Sequence, residues 1–96
     1  MAPPQGFIND HAWESVWTRE GLDLKTRSLV TVSFLTALGK THELKGHLRG
    51  ALNNGATLEE LREVLLHAAV YAGVPASAEA LRVLVVLKDK LALRAC

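Results

Sequence analysis

The chain has 96 residues and a formal net charge of +1, which fits one small domain and lacks the concentrated basic face of a nucleic-acid-binding protein. Hydrophobic residues make up 49% of it, close to the upper end for a soluble domain. No apolar run approaches the roughly 18 residues of a membrane-spanning helix. The only cysteine is Cys96, which excludes a disulfide framework and C-x-x-C chemistry and predicts a cytoplasmic protein.

The first two predicted helices lie on either side of the segment REGLD. Asn9 or Asp10 is a candidate N-cap for a short helix that runs to about Arg19. Asp23 is a candidate N-cap for the second helix, LKTRSLVTVSFLTALG. Its length favours a helix over a strand. Because the run is apolar on nearly every side, we expect this helix to be buried all round.

The third and fourth predicted helices have clear starting signals. Thr41 is a candidate cap for the third helix, which ends at the Asn-Asn-Gly sequence of residues 53–55. Thr57 begins the sequence TLEE, which places Glu60 at the third helical position. This is the spacing of a capping box, so the fourth helix is predicted to begin there.

The end of the fourth helix and the start of the fifth are marked by glycine and proline. The fourth helix is predicted to run to Tyr71 or Ala72 and to stop at Gly73, with a proline two residues beyond. The fifth helix, AEALRVLVVLKDKLAL, is predicted to start near Ala76 or Ser77. Five helices with short connections predict an all-α antiparallel helical bundle.

The apolar surface exceeds what one small bundle can bury. Residues 1–96 are predicted to form a single domain. On the fourth helix, Leu66, Ala69 and Val70 lie off the stripe that would face the core. We therefore expect a homo-oligomer in which this second stripe faces another subunit.

A carboxylate and an imidazole lie one turn apart on the third helix. Glu43 and His47 are at positions i and i+4, so they share a face. A carboxylate beside an imidazole can fix its tautomer and favour its protonated form, as general acid–base catalysis requires. The same spacing also suits a surface pair that only supports the helix, and spacing alone favours that interpretation.

A second pair with this spacing lies on the fourth helix. His67 and Tyr71 are at i and i+4 among apolar residues. They could donate hydrogen bonds to a ligand. Spacing alone favours the alternative, a core histidine bonded to a backbone carbonyl and a tyrosine with its hydroxyl at the rim.

The remaining polar candidates concern metals and anions. His42 and His47 are five residues apart, whereas HExxH places its histidines four apart, so no metal site is predicted. Arg27 lies near the start of the second helix, where the helix dipole favours anions. Arg49 lies roughly 160° around the helix from His47, so both can serve one pocket only if a neighbouring subunit contributes.

Four stretches together resemble the carboxymuconolactone decarboxylase family: HAWESVW, REGLDLKTRSLVT, ELKGHLRGALNNGAT and EELREVLLHAAVYAGVPA. The similarity covers about Phe7 to Ala78. It implies the all-helical alkylhydroperoxidase D-like fold and a homo-oligomer, a trimer or hexamer, with sites at subunit contacts.

The redox branch of this superfamily carries C-x-x-C-x-x-x-H, preceded by a glutamate one helix earlier. When its histidine is aligned on His47, the cysteine positions fall on Lys40 and Glu43 and the glutamate position falls on Ser28. Cys96 is too far along the chain to replace either thiol. A peroxidase-like function is therefore disfavoured, because it needs a thiolate nucleophile and a resolving thiol.

The resemblance instead implies a decarboxylase that converts 4-carboxymuconolactone, a dicarboxylate lactone, into 3-oxoadipate enol-lactone in the breakdown of protocatechuate. The lactone is its own electron sink, so no cofactor is expected. This reaction implies three sets of site residues. His47 would be the proton donor, held by the Glu43 carboxylate. Arg27 and Arg49 would bind carboxylates of the substrate, and His67 and Tyr71 would donate hydrogen bonds to the oxyanion.

Two departures from the family pattern leave a further alternative. The chain starts at what resembles the middle of the usual sequence, without the helical segment that normally precedes HAWESVW, and it drifts from the pattern after Ala78. A non-catalytic helical oligomer or partner subunit therefore remains a second hypothesis.

Overall fold

The computed structural model describes residues 15–95, and their side chains as far as residue 92. Within this part of the chain the structure is all-α, without strands, which confirms the predicted class. Most of the first predicted helix, with its candidate caps, lies outside the described residues. The helices are α1 (Ser15–Trp17), α2 (Leu24–Leu38), α3 (Thr41–Asn53), α4 (Leu58–Ala72) and α5 (Val74–Ala95).

Helix α2 begins and ends as the sequence predicts. Asp23 is its N-cap, and the side chain accepts a 2.7 Å hydrogen bond from the backbone N–H of Thr26. Hydrogen bonds from the side chain and backbone of Thr26 hold the pKa of Asp23 below its ordinary value. Gly39 ends the helix with a φ of 71°. Glycine adopts this left-handed conformation without a Cβ penalty, so the chain can turn directly into α3.

Helix α3 differs from the prediction at its start. Lys40 occupies the N-cap position without a side-chain cap, and Thr41 is the first helical residue. The predicted Thr41 cap is therefore wrong, because the tight turn after Gly39 leaves no extended residue between the two helices. At the other end, the Asn54 amide donates a 2.9 Å hydrogen bond to the Ser28 hydroxyl, which joins the end of α3 to α2.

The predicted capping box at the start of α4 is confirmed. The Glu60 N–H donates to the Thr57 hydroxyl at 3.0 Å, and the Thr57 N–H donates to the Glu60 carboxylate at 2.9 Å. Glu60 also pairs with Lys25 of α2 at 2.7 Å. Hydrogen bonding to Lys25, followed by the bond from the Thr57 N–H, lowers the pKa of Glu60.

Helix α5 begins earlier than predicted. It starts at Val74, directly after Gly73, so Pro75 lies in its first turn and not in a connection. Proline is tolerated there because the first N–H groups of a helix have no intrahelical partner. Ser77 is buried in this turn, and its hydroxyl donates to the Leu65 carbonyl of α4 at 2.7 Å.

The core lies where α2, α3, α4 and α5 meet. Helix α2 packs against the other three, α5 packs against α3 and α4, and α3 and α4 make little direct contact. The pairs α2/α5 and α3/α4 are thus the two diagonals of the bundle. None of the helices in residues 15–95 has the length and apolarity needed to cross a bilayer. The buried hydrophobic residues are Val32, Leu44, Leu48, Ala51, Ala56, Leu61, Leu65, Ala80, Leu84 and Leu87.

The expectation that α2 is buried all round is wrong for the single chain. Only Ser28, Val32 and Thr36 of this helix are buried. Its outer side is apolar but exposed, with Phe34 63% accessible. The adjoining α4 exposes Val70 at 75%. Four helices supply too few neighbours to cover every side of two apolar helices, so an apolar face remains uncovered.

Candidate functional site

In the described part of the chain, an apolar groove lies between α2 and α4. Its volume is about 780 Å³, within the range of small-molecule pockets. From α2 the lining residues are Val30, Ser33, Phe34 and Ala37. From α4 they are Glu63, Val64, Leu66, His67, Ala68, Tyr71 and Ala72.

Two of the predicted site residues lie together in this groove. The ring centroids of His67 and Tyr71 are 5.3 Å apart, and the ring planes are inclined at 46°. His67 is exposed and Tyr71 is 81% accessible, so within the single chain His67 is not a core residue. The pair can present an imidazole and a phenol to a ligand in the groove.

The α3 candidates lie elsewhere. Glu43 is exposed and His47 is half-buried, one turn apart on α3. Arg49 is exposed on the same helix. None of these three lines the α2/α4 groove. Because α3 and α4 are diagonal to each other, a single chain does not bring the two sets of predicted residues together.

Arg27 makes defined contacts with the connection that precedes α2. Its Nε donates to the Leu22 carbonyl at 3.2 Å, and its Nη2 donates to the Arg19 carbonyl at 3.1 Å. These two bonds hold the connection against the start of α2. The guanidinium has further N–H groups, which are the ones available to bind an anion.

Sequence reasoning missed several groove residues, among them Glu63, Ser33 and Phe34. Glu63 lies one turn before His67, so the same i, i+4 rule could have found it. Ser33 and Phe34 come from α2, and no spacing rule links them to α4. Only the packing of the two helices places them in one groove.

The positions of the redox motif carry no thiol chemistry. Ser28, at the glutamate position, is buried and accepts the hydrogen bond from Asn54. Lys40 and Glu43, at the cysteine positions, are exposed. Cys96 lies outside the described residues. Among residues 15–95 there is also no group of three or more histidine, cysteine or acidic side chains that could hold a metal ion.

Comparison with known proteins decides the family. The sequence model of the carboxymuconolactone decarboxylase family matches residues 4–85. The chain belongs to this family. The match extends beyond both ends of the Phe7–Ala78 region that carries the resemblance in the sequence.

Two named relatives are decarboxylases. The chain is 55% identical over 73 residues to a 4-carboxymuconolactone decarboxylase of Acinetobacter baylyi, which covers 76% of this chain and 54% of the relative. It is 49% identical over 79 residues to a nitrosuccinic acid decarboxylase of Metarhizium robertsii, covering 82% of this chain and 55% of the relative. The chain thus spans about half the length of these relatives.

A third relative has no assigned activity. It is an uncharacterised 15.0 kDa protein of Paracoccus denitrificans, 39% identical over 69 residues, which is 70% of this chain and 52% of the relative. The similarity therefore extends to family members with and without a named reaction.

Proposed function

We propose that the chain catalyses the cofactor-independent decarboxylation of 4-carboxymuconolactone to 3-oxoadipate enol-lactone, a step of protocatechuate breakdown in the cytoplasm. The observation that carries the proposal is an apolar groove with two polar donors, His67 and Tyr71, on one wall. The 55% identity to a relative named for this reaction supports the choice of substrate.

The reaction needs no external electron acceptor. The departing carboxylate is bonded to the γ-carbon of an α,β-unsaturated lactone. As that bond breaks and carbon dioxide leaves, its electron pair moves through the double bond to the lactone carbonyl. The resulting dienolate takes a proton at the α-carbon. The protein therefore has to bind the remaining carboxylate, stabilise an oxyanion and deliver one proton.

The predicted residues are assigned to these three requirements from three different helices, α2, α3 and α4. His67 and Tyr71 donate to the developing oxyanion in the groove. His47, oriented by Glu43, delivers the proton from α3. The guanidinium groups of Arg27 and Arg49 bind the carboxylates of the substrate.

A homo-oligomer, a trimer or hexamer, reconciles this assignment with the fold. Within one chain α3 and α4 are diagonal and make little contact. The exposed apolar residues around the groove, including Phe34 and Val70, form a surface that another subunit would cover. When the α3 of one subunit faces the groove of another, both sets of residues reach a single substrate.

The first test compares two histidines of α3. Purified protein is incubated with 4-carboxymuconolactone, and carbon dioxide and the enol-lactone are measured. We expect His47→Gln to lower kcat by about 10²–10⁴-fold, the usual contribution of a general acid. His42→Gln is the matched control, because His42 is exposed near the start of the same helix, and it should stay within about twofold of wild type. Equal turnover by wild type and His47→Gln would refute the proton-donor assignment.

The second test addresses sharing of the site between subunits. His47→Gln and Tyr71→Phe variants are dissociated, mixed in equal amounts and reassembled. If each site combines two chains, about one quarter of the sites regain both native side chains, and activity returns to that extent. If each site belongs to one chain, mixing restores nothing.

The same assay distinguishes between two candidate substrates and also tests the hypothesis that the protein is not catalytic. The 49% identity to a nitrosuccinic acid decarboxylase favours nitrosuccinate as a second substrate. Its nitro group can accept the electron pair that the leaving carbon dioxide releases, as the lactone carbonyl does in the first reaction. A well-folded oligomer that turns over neither acid would support a partner-subunit role instead.

A further inference from the structure

The formal charge of the groove is negative. Of its lining residues, only Glu63 carries a full charge when imidazole is neutral, and none is lysine or arginine. Within residues 15–95, the Glu63 carboxylate takes part in no hydrogen bond or ion pair. It is therefore not neutralised by the described part of the chain.

The other polar groups of the groove differ in what they offer a ligand. His67 and Tyr71 follow Glu63 by one and two turns on α4 and can donate hydrogen bonds. On the opposite wall, the Ser33 hydroxyl already donates to the Leu29 carbonyl at 2.9 Å, so it can only accept. The groove can therefore donate hydrogen bonds to an uncharged carbonyl oxygen, whereas the negative charge of Glu63 repels a carboxylate.

We propose that Glu63 determines the orientation of the substrate. The groove takes the uncharged, carbonyl-bearing ring of an unsaturated lactone, and Glu63 keeps the carboxylates of the same molecule out. This inference rests on the proposed function, because it assigns the ring end of that substrate to the groove.

The physical reason is that the uncharged carbonyl end and the charged carboxylate end of the ligand differ in the free energy of transfer from water into the groove. A lactone carbonyl loses little on leaving water when His67 or Tyr71 donates to it. A carboxylate in the same place would find no cation among the lining residues and would be repelled by Glu63. The carboxylates therefore stay outside the groove, where Arg27 and Arg49 of the same or a neighbouring chain can bind them.

The test measures binding directly with two small probes. The first is the neutral lactone furan-2(5H)-one, and the second is its 5-carboxylate. Dissociation constants are obtained from NMR titrations that follow the methyl groups of Val30, Val64 and Leu66 and the ring of Tyr71. The titrations are run at pH 8, above the ordinary titration range of imidazole.

The expected preference follows from the repulsion between two unit charges. At a separation of about 7 Å, an effective dielectric constant of about 40 and low salt, it weakens binding of the carboxylate about fivefold relative to the neutral lactone. Salt at about 1 M should reduce the ratio to near one. Glu63→Gln should do the same at low salt, whereas Glu63→Asp should keep the preference.

Glu59→Gln is the matched control, since Glu59 is an exposed carboxylate of the same helix outside the groove. It should leave the fivefold ratio unchanged. A ratio that is the same in wild type and Glu63→Gln overturns the assignment. The assignment is also overturned if the NMR chemical-shift changes are confined to residues outside the groove, or if neither probe binds.

Turnover of 4-carboxymuconolactone separates this inference from the proposed function. A wild-type chain that is inactive but prefers the neutral lactone, with the preference lost in Glu63→Gln, supports the role of Glu63 and refutes the decarboxylase. An active chain whose preference does not depend on Glu63 refutes the orientation role and leaves the decarboxylase standing.

Discussion

Leu65 and Leu66 are adjacent leucines of α4 that differ in burial. Leu65 is fully buried in the core, whereas Leu66 is 41% accessible and lines the groove. The substitutions Leu65→Ala and Leu66→Ala remove the same three carbon atoms. Comparing them tests the register of α4, on which the placement of His67 and Tyr71 depends.

The expected difference follows from burial. At about 0.8 kcal/mol for each carbon removed, Leu65→Ala loses about 2.4 kcal/mol of transfer free energy. The cavity left in a packed core raises the cost to about 3–4 kcal/mol. Leu66→Ala opens no enclosed cavity, because its side chain borders the groove, and it should cost about 1 kcal/mol or less.

Thermal and urea unfolding followed by circular dichroism measure this difference. For a domain of this size, Leu65→Ala should lower Tm by roughly 12–30 °C, with little change in the urea m-value. Each variant is measured at two protein concentrations. Loss of a contact between subunits would make the effect of Leu66→Ala depend on concentration, while the core defect of Leu65→Ala would persist at both.

Equal destabilisation by the two substitutions at both concentrations would refute this reasoning. It would mean that α4 is rotated relative to the core. The line of Glu63, His67 and Tyr71 would then not border the α2/α4 groove. Both the oxyanion donors and the orientation role of Glu63 would lose their structural basis.

Three further predictions follow from the caps and the exposed apolar face. The pKa values of Asp23 and Glu60 are lowered in the folded chain. The stability that these two carboxylates contribute is therefore present above their ordinary pKa values of 3.8 and 4.5 and is lost as pH falls through the folded values. The double substitution Asp23→Asn with Glu60→Gln should flatten the acid limb of a plot of unfolding free energy against pH. Gly39 has a φ of 71° with open space around it, so Gly39→Ala should cost about 1 kcal/mol through backbone strain alone, measured by urea unfolding. Phe34→Glu or Val70→Lys should reduce the molar mass measured by sedimentation without lowering the helix content. An unchanged molar mass would exclude the exposed apolar face of α2 and α4 as the subunit contact.

The position of the α3 residues would give the proposed oligomer a specific role. Glu43 and His47 share a helix face, but that helix is diagonal to the groove. A monomer would leave His67 and Tyr71 without the proposed proton donor. Assembly would therefore complete the site as well as cover apolar surface, and the mixing experiment with His47→Gln and Tyr71→Phe measures this directly.

Part of the candidate site was predictable from the sequence, and part was not. The pairs Glu43–His47 and His67–Tyr71 follow from the 3.6-residue period, and the ring contact of the second pair bears out that geometry. Glu63 obeys the same rule and could have been found. Phe34 could not, because its role depends on how α2 lies against α4 and not on anything near it in the chain.

Local chemistry determined most of the helix boundaries. The Asp23 cap and the Thr57–Glu60 capping box each act within a few residues, so the sequence was sufficient to predict them. The sequence failed at the start of α3, where the structure has Thr41 inside the helix. There the tight turn after Gly39 took the place of a side-chain cap.

The tertiary structure alone decided which apolar residues are covered and which polar residues meet. Composition shows that the chain has surplus apolar residues, but burial depends on neighbours that are distant in sequence. Packing covers Val32 and leaves Phe34 exposed on the same helix. It also brings Ser33 to the groove of His67 while holding His47 on the diagonal helix. Periodicity determines which side chains share one helix face, and only the packing of helices determines what that face meets.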